Sequence, residues 1–185
     1  MRRTTALLLA LIALSPIRSS PASDAESAAE LRYQAERAIN NLKSCDSALT
    51  NFFEHSAGYA VFPNVRSNST NAPATDVKGI LYERGKPVGQ AVLLELNAER
   101  MHPLVPFHET IFFATAQALD QFKQNGLTIT VDSGAVSASE GAALTARYRH
   151  GVAVFVVPKS GLLEDIFIGD QNVWFKPLTS PVTLL

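Results

Sequence analysis

The side chains in this sequence that could do chemistry fall into three groups: His102 and His108 beside Glu99 and Glu109, the serines Ser133, Ser137 and Ser139 near Asp132 and His150, and the adjacent pair Glu164-Asp165. A His/carboxylate metal centre needs three or four ligands converging on one point, often from helical i, i+4 pairs. Pro103 and Pro106 deny the first group that regular geometry, so its histidines read as solvated loop residues. A serine nucleophile needs a base held within hydrogen-bond reach by rigid supports. The G-x-S-x-G elbow that supplies such a support does not occur. Glu164 and Asp165 are chain neighbours, and neighbours on a strand face opposite ways, so they cannot flank one glycosidic bond. There is no phosphate-cradling Walker loop, and the basic residues are scattered without interleaved aromatics, so nucleotides and nucleic acids are not expected partners. The chain reads as a non-enzyme, with no catalytic residue, metal or cofactor assigned.

Binding chemistry has the better case. Arg32 and Lys43 fall at nearly the same angle of a helical projection, on one border of an apolar stripe. Basic side chains snorkel from such a border when a helix lies in a headgroup layer. These two residues are therefore the candidate contacts for a phospholipid headgroup or membrane surface. Glu36, one turn after Arg32, offers a competing role as an intrahelical ion-pair partner. The stripe itself is rich in alanine and lacks tryptophan, which favours packing on the protein's own sheet. The lone cysteine, Cys45, excludes an intramolecular disulfide and reads as a small buried apolar residue.

These residues have to be positioned by a single domain. Met1-Arg2-Arg3, the apolar run Ala6 to Leu14 and the small residues Ser20-Pro21-Ala22 follow the order of a secretory signal, cut after Ala22 or alternatively after Ala25. The run is shorter than the ~20 residues that cross a bilayer. Residues 1–22 are thus expected to be a signal peptide and 23–185 one domain, periplasmic or secreted, with neither a lipoprotein anchor nor a transmembrane helix. Of the 16 Lys and Arg, Arg2, Arg3 and Arg18 lie in the signal and none of the 17 Asp and Glu do, which leaves 13 − 17 = −4 for the mature chain. A net negative protein has no general attraction for nucleic acid or anionic membrane. Any lipid contact must be local.

Periodicity gives the elements. Ser23 to Lys43 reads as an amphipathic helix with Leu31, Ala35, Ala38, Ile39, Leu42 and Cys45 on one stripe, and Ser23 with Glu26 fits a capping box. A short helix over Asp46 to Glu54 should bury Leu49, Phe52 and Phe53. Strands are expected at Tyr59 to Phe62 (stopped by Pro63), Gly79 to Tyr82, Val88 to Leu94, Thr110 to Phe113, Leu127 to Asp132 and Val152 to Val157. Hairpin turns are read at Arg84-Gly85 and at Gly169-Asp170, the latter between Leu162 to Ile168 and Val173 to Phe175. Thr115 should cap a helix carrying Ala118, Leu119 and Phe122 that ends near Gly126. Arg66 to Asp76 is a polar loop, Met101 to Phe107 is irregular, and Ser133 to Ala143 is ambiguous. The fold class is α+β: a largely antiparallel sheet, barrel-like or a sandwich, packed with N-terminal helices and one internal helix.

Four ordered stretches, Gly58-Tyr-Ala-Val-Phe-Pro-Asn-Val65, Gly79-Ile-Leu-Tyr-Glu83, Glu109-Thr-Ile-Phe-Phe113 and Gly151-Val-Ala-Val-Phe155, resemble the SYLF (Ysc84-like) lipid-binding family. So do Gly169 to Leu178, with its Trp-Phe-Lys-Pro-Leu, and the helix Ala116 to Phe122; the resemblance covers about residues 27 to 178. It implies a lipid-associated protein of the bacterial envelope, contacting lipid through the N-terminal region, and gives no reason to expect actin as a partner. The chain departs from the family pattern at two places. Arg66 to Asp76 replaces a glycine-rich loop, and Glu99 to Phe107 replaces a Gly-Gly-Gln-Ser-like stretch. The alternative expectation is a periplasmic protein–protein interaction module that has lost lipid affinity and uses the Arg66 to Asp76 loop.

Overall fold

A computed structural model describes residues 21–65, 76–95, 106–131, 136–137, 147–159 and 169–177. Residues 1–20, where a signal segment is expected, residues 66–75 of the expected polar loop, residues 96–105 with Glu99 and His102, and Asp132, Ser133, Ser139, Glu164 and Asp165 lie outside these ranges, as do residues 162–168.

Helix α1 (Pro21–Cys45) leads through a 3-10 turn (Ser47–Leu49) into α2 (Thr50–His55), and α3 (Ala116–Asn125) follows the fourth strand. The strands are β1 (Gly58–Val65), β2 (Val77–Glu83), β3 (Lys86–Glu95), β4 (Phe107–Phe113), β5 (Leu127–Val131), β6 (Val136–Ser137), β7 (Val152–Pro158) and β8 (Gly169–Pro177). They form one sheet in the order β5-β8-β3-β2-β1-β4-β7-β6. Every pairing is antiparallel except the short β6–β7 contact. The α+β class and the antiparallel sheet are as expected.

Local chemistry explains the punctuation. Arg84 (φ 50°) and Gly85 (φ 73°) both take positive φ, the two-residue turn whose twist suits a hairpin between β2 and β3. The Thr115 hydroxyl accepts from the Ala118 N–H at 3.2 Å, and Gly126 ends α3 at φ 73°. Asp46 caps the turn before α2 by accepting from the Ala48 N–H at 2.9 Å. The Ser23 side chain lies outside what the structure describes, so the capping box stays an expectation.

Two readings are corrected. Pro63 does not stop β1. The strand continues to Val65 through a register shift between Phe62 and Val65, the kind of bulge where a residue without an N–H fits a sheet. The shift also explains why Phe62 and Val65, three residues apart, both enter the same core cluster. Gly169-Asp170 is not a turn either. It begins β8, with Gly169 opposite Val131 and Asp170 opposite Thr130, so long-range pairing with β5 overrides the local turn signal.

Alternation of side chains sorts the core onto the two faces of the sheet. Tyr59, Val61, Ile80, Tyr82, Phe112, Ala153 and Phe155 face α1, whose Ala35, Ala38 and Leu42 are buried against them. Small residues at 35 and 38 let the helix approach the aromatic layer closely. The other face carries Ala60, Phe62, Leu81, Ile111, Phe113, Val156 and Val173, closed by Leu119 and Phe122 of α3. β4 and β8 are four places apart in the strand order, about 19 Å in a flat sheet. Yet Gln171 Nε2 on β8 donates to Glu109 Oε2 on β4 at 3.0 Å, and α3 packs on both strands. The sheet is therefore curled into a half-barrel with this second face inside.

Gly58 shows how tightly the half-barrel is wound. A Cβ there would lie 2.6 Å from the Tyr82 carbonyl oxygen and 2.9 Å from a Leu119 methyl. A backbone carbonyl cannot move aside as a side chain can. Gly58→Ala is expected to cost about 1–3 kcal/mol by overpacking, read as a lower urea midpoint with unchanged slope; an unchanged midpoint would contradict this packing.

Candidate functional site

The residues first considered for chemistry do not converge. His108 is not the solvated loop residue expected: it is half-buried on β4 next to Glu109, and the two face opposite ways, His108 toward α1 and Glu109 into the half-barrel, where it is 0% exposed. Ser137 pairs in register with Val156, whereas His150 sits in the turn before Val152. Val156 and Val152 are four residues apart, about 13 Å along a strand, so Ser137 and His150 are out of hydrogen-bond reach. Among the described residues no group of three His, Cys, Asp or Glu side chains is placed to hold a metal ion. Cys45 is half-buried against the aromatic layer, and desolvation pushes its thiol up from the ordinary value.

The aromatic layer under α1 is continuous. Tyr82 stacks on Tyr59 at 5.1 Å, Tyr59 meets Phe53 edge-on at 4.9 Å, and Phe53 meets Phe112 edge-on at 4.9 Å. Arg32 and Lys43 lie along this row. Arg32 is exposed, close enough to Tyr82 for its charge to be felt by the phenol, while the Lys43 ammonium sits 4.8 Å from the centre of the Phe53 ring, a cation–π contact. Burial, then Tyr59 and Glu36, push the Tyr82 phenol up to about 12, against the opposing pull of Arg32. The two basic residues border the stripe as the helical projection implies; Lys43 is engaged by the Phe53 ring, and Arg32 is exposed.

On the opposite flank of α1 the helix and the sheet leave a groove of about 360 Å³. Its wall on the helix side is Glu30, Arg37 and Asn41, spaced about two turns and one turn apart, and its floor is Pro63, His108 and Lys159. Three strand ends meet here: Pro63 near the end of β1, His108 near the start of β4, and Lys159 just after β7. The Lys159 N–H donates to the Pro106 carbonyl at 2.8 Å, and its ammonium donates to Asn64 Oδ1 at 3.0 Å, fixing it at the rim. Tyr33, 56% exposed, stands at the lip with the Arg37 guanidinium 5.9 Å from its ring centre. A second groove of about 520 Å³, lined by Lys78 and Gln90 on the sheet, shares Glu30 and Gln34 with the first.

His108 ties the two sides together. Its Nδ1 is 2.7 Å from the Pro63 carbonyl, which can only accept, so Nδ1–H donates and Nε2 faces the Asn41 amide nitrogen at 3.5 Å. Burial holds the imidazole below its ordinary range, with Lys159 and Arg37 acting in the same direction and the Pro63 hydrogen bond opposing. A histidine that resists protonation when folded lowers stability once the unfolded chain takes up the proton. This contribution should be full above pH ~6.5 and lost as the pH falls below it, and His108→Gln should flatten the dependence; a thermal-melt series from pH 7.5 to 5 measures it.

Arg37, Asn41, His108 and Lys159 were not singled out together from the sequence. The i, i+4 spacing of Arg37 and Asn41 was visible, but their meeting with His108 and Lys159 depends on the β4–β7 register, in which Phe107 lies opposite Pro158.

No family model matches the chain. It is 25% identical over 167 residues to a protein of Aeromonas veronii named Beta cell expansion factor A, a match covering 86% of this chain and 62% of the relative. The chain thus spans less than two thirds of that relative's length. Among the described residues, no helix is long and apolar enough to cross a membrane.

Proposed function

We propose that this chain is an exported, non-enzymatic module that binds phospholipid headgroups or a membrane surface, and that it is a divergent member of the SYLF lipid-binding family. The observation that carries the reading is the groove beside α1, where Arg37, His108 and Lys159 come together under the exposed Tyr33. A cationic groove with an aromatic lip suits a phosphate-bearing headgroup at a water–lipid boundary. The family-like stretches supply further support: they fall on β1, β2, β4 and β7, four adjacent strands that form the floor beneath α1. The relative's name describes an effect on cells rather than a reaction, which fits a binding module better than a catalyst.

Because the expected mature charge is negative, attraction must come from this local cluster and should be screened by salt. The test is co-sedimentation of the protein with phosphatidylglycerol, phosphatidic acid and cardiolipin vesicles at low salt. Binding is expected, weakened by added salt and more by Arg37→Ala with Lys159→Ala than by Arg32→Ala with Lys43→Ala. Absence of binding to all three vesicles sinks the proposal and leaves a protein partner as the reading to pursue.

A further inference from the structure

We propose that the groove binds a tetrahedral oxyanion between Arg37, His108 and Lys159, and that protonation of His108 switches it from weak to strong binding. This deepens the headgroup reading by naming the ligand chemistry and its control, and either can fail without the other. At neutral pH the groove carries two cations, Arg37 and Lys159, and one carboxylate, Glu30. The Glu30 carboxylate accepts from Gln34 Nε2 at 2.7 Å along the helix.

The groups around His108 determine what a proton does there. From α1 come Arg37, Asn41 and Glu30; from β1, the Pro63 carbonyl and Asn64, which accepts from Lys159; and after β7, Lys159 itself. Glu109, the neighbour on β4, faces the other side of the sheet and cannot serve as a counter-charge. Nδ1–H is already committed to Pro63, so a second proton goes to Nε2, the atom turned toward Asn41 and the groove. The proton adds a third cation and converts an acceptor into a donor at one step. The free groove disfavours that state first because burial desolvates the new charge and then because Lys159 and Arg37 repel it. An oxyanion seated among the three removes the repulsion and accepts the new N–H. By linkage, the anion must then bind more tightly as the pH falls.

Inorganic sulfate is the probe, because its charge does not change across the window. Its dissociation constant, measured by calorimetry on the full chain, should fall between pH 7.5 and pH 5 by about tenfold for each unit that binding raises the His108 pKa. The His108 ring protons, followed by NMR in the unmutated protein, should titrate at higher pH with sulfate than without it. His108→Gln should bind sulfate with a flat pH profile, and Arg37→Ala should weaken binding at both pH values. Equal sulfate affinity at the two pH values, or an unmoved His108 titration, overturns the proposal even if the variants fail to fold. Two further arms separate the ligand sources: phosphatidylglycerol vesicles and soluble glycerol phosphate at pH 5. Sulfate and glycerol phosphate binding without vesicle binding leaves this inference standing and removes the headgroup reading. Vesicle binding with no pH-dependent sulfate binding does the opposite.

Discussion

Phe112→Ala should destabilise the protein by about 3–5 kcal/mol, a large share of the ~5–15 kcal/mol that holds a typical domain together. Phe112 is fully buried at the centre of the sheet face beneath α1, and its ring lies 4.9–5.7 Å from those of Phe53, Phe52, Phe155 and Tyr59. Truncation removes the apolar burial and also leaves a cavity, because the neighbours belong to three different elements, α2, β1 and β7, that cannot all collapse inward. Phe52 and Phe53 are only half-buried on the six-residue α2, so the ring they share at 112 is much of what docks that helix. Urea denaturation should show a lower midpoint with an unchanged slope. Hydrogen exchange should show amides of Thr50–His55 opening before those of β1 and β4. A loss under ~1 kcal/mol would mean that the aromatic layer repacks freely, contrary to the close packing expected of a core.

The features legible in the sequence are those fixed by near neighbours. The stripe Ala35, Ala38 and Leu42 needs only helical periodicity, the Arg84-Gly85 hairpin only two residues tolerant of positive φ, and the Thr115 cap only a hydroxyl three residues before a free N–H. Pro63 and Gly169-Asp170 were misread for the converse reason: each carries a strong local breaker signal that pairing with a distant strand overrides. The tight turn at His150 (φ 52°) and Gly151 (φ 81°), closed by the two Arg149–Val152 hydrogen bonds, had only the glycine to betray it. The candidate site was legible only in part. A helix border with basic residues pointed to α1 and to Arg32 and Lys43, while the groove on its other flank is formed by residues distant in sequence. The Lys43 ammonium lies over the Phe53 ring, whereas Arg37 lines the groove beside the ends of β1, β4 and β7.

The least legible feature carries the other large effect. Glu109 and Gln171 are both fully buried on inner faces of β4 and β8, and nothing in their sequence spacing says that a carboxylate and an amide 62 residues apart will meet at 3.0 Å. They meet because the sheet curls; equally, a hydrogen bond to a buried carboxylate helps to hold the curl. Gln171→Leu removes that donor from a carboxyl group in an apolar interior, and leaving a buried polar group without its partner costs roughly 1–3 kcal/mol. Glu109→Leu strands the Gln171 amide in the same interior and should cost a similar amount. The double variant separates a cross-barrel tie from two independent polar residues. If the two act as one unit, the pair of losses must be clearly less than additive, since the second substitution finds its partner already gone. Strict additivity in urea midpoints would mean that the contact does not bear on folding, and the half-barrel would then owe its closure to α3 spanning β4 and β8. With the tie loosened, protection from hydrogen exchange should fall first in β5 and β8, the margin of the sheet that is hydrogen-bonded to the remaining strands through β3.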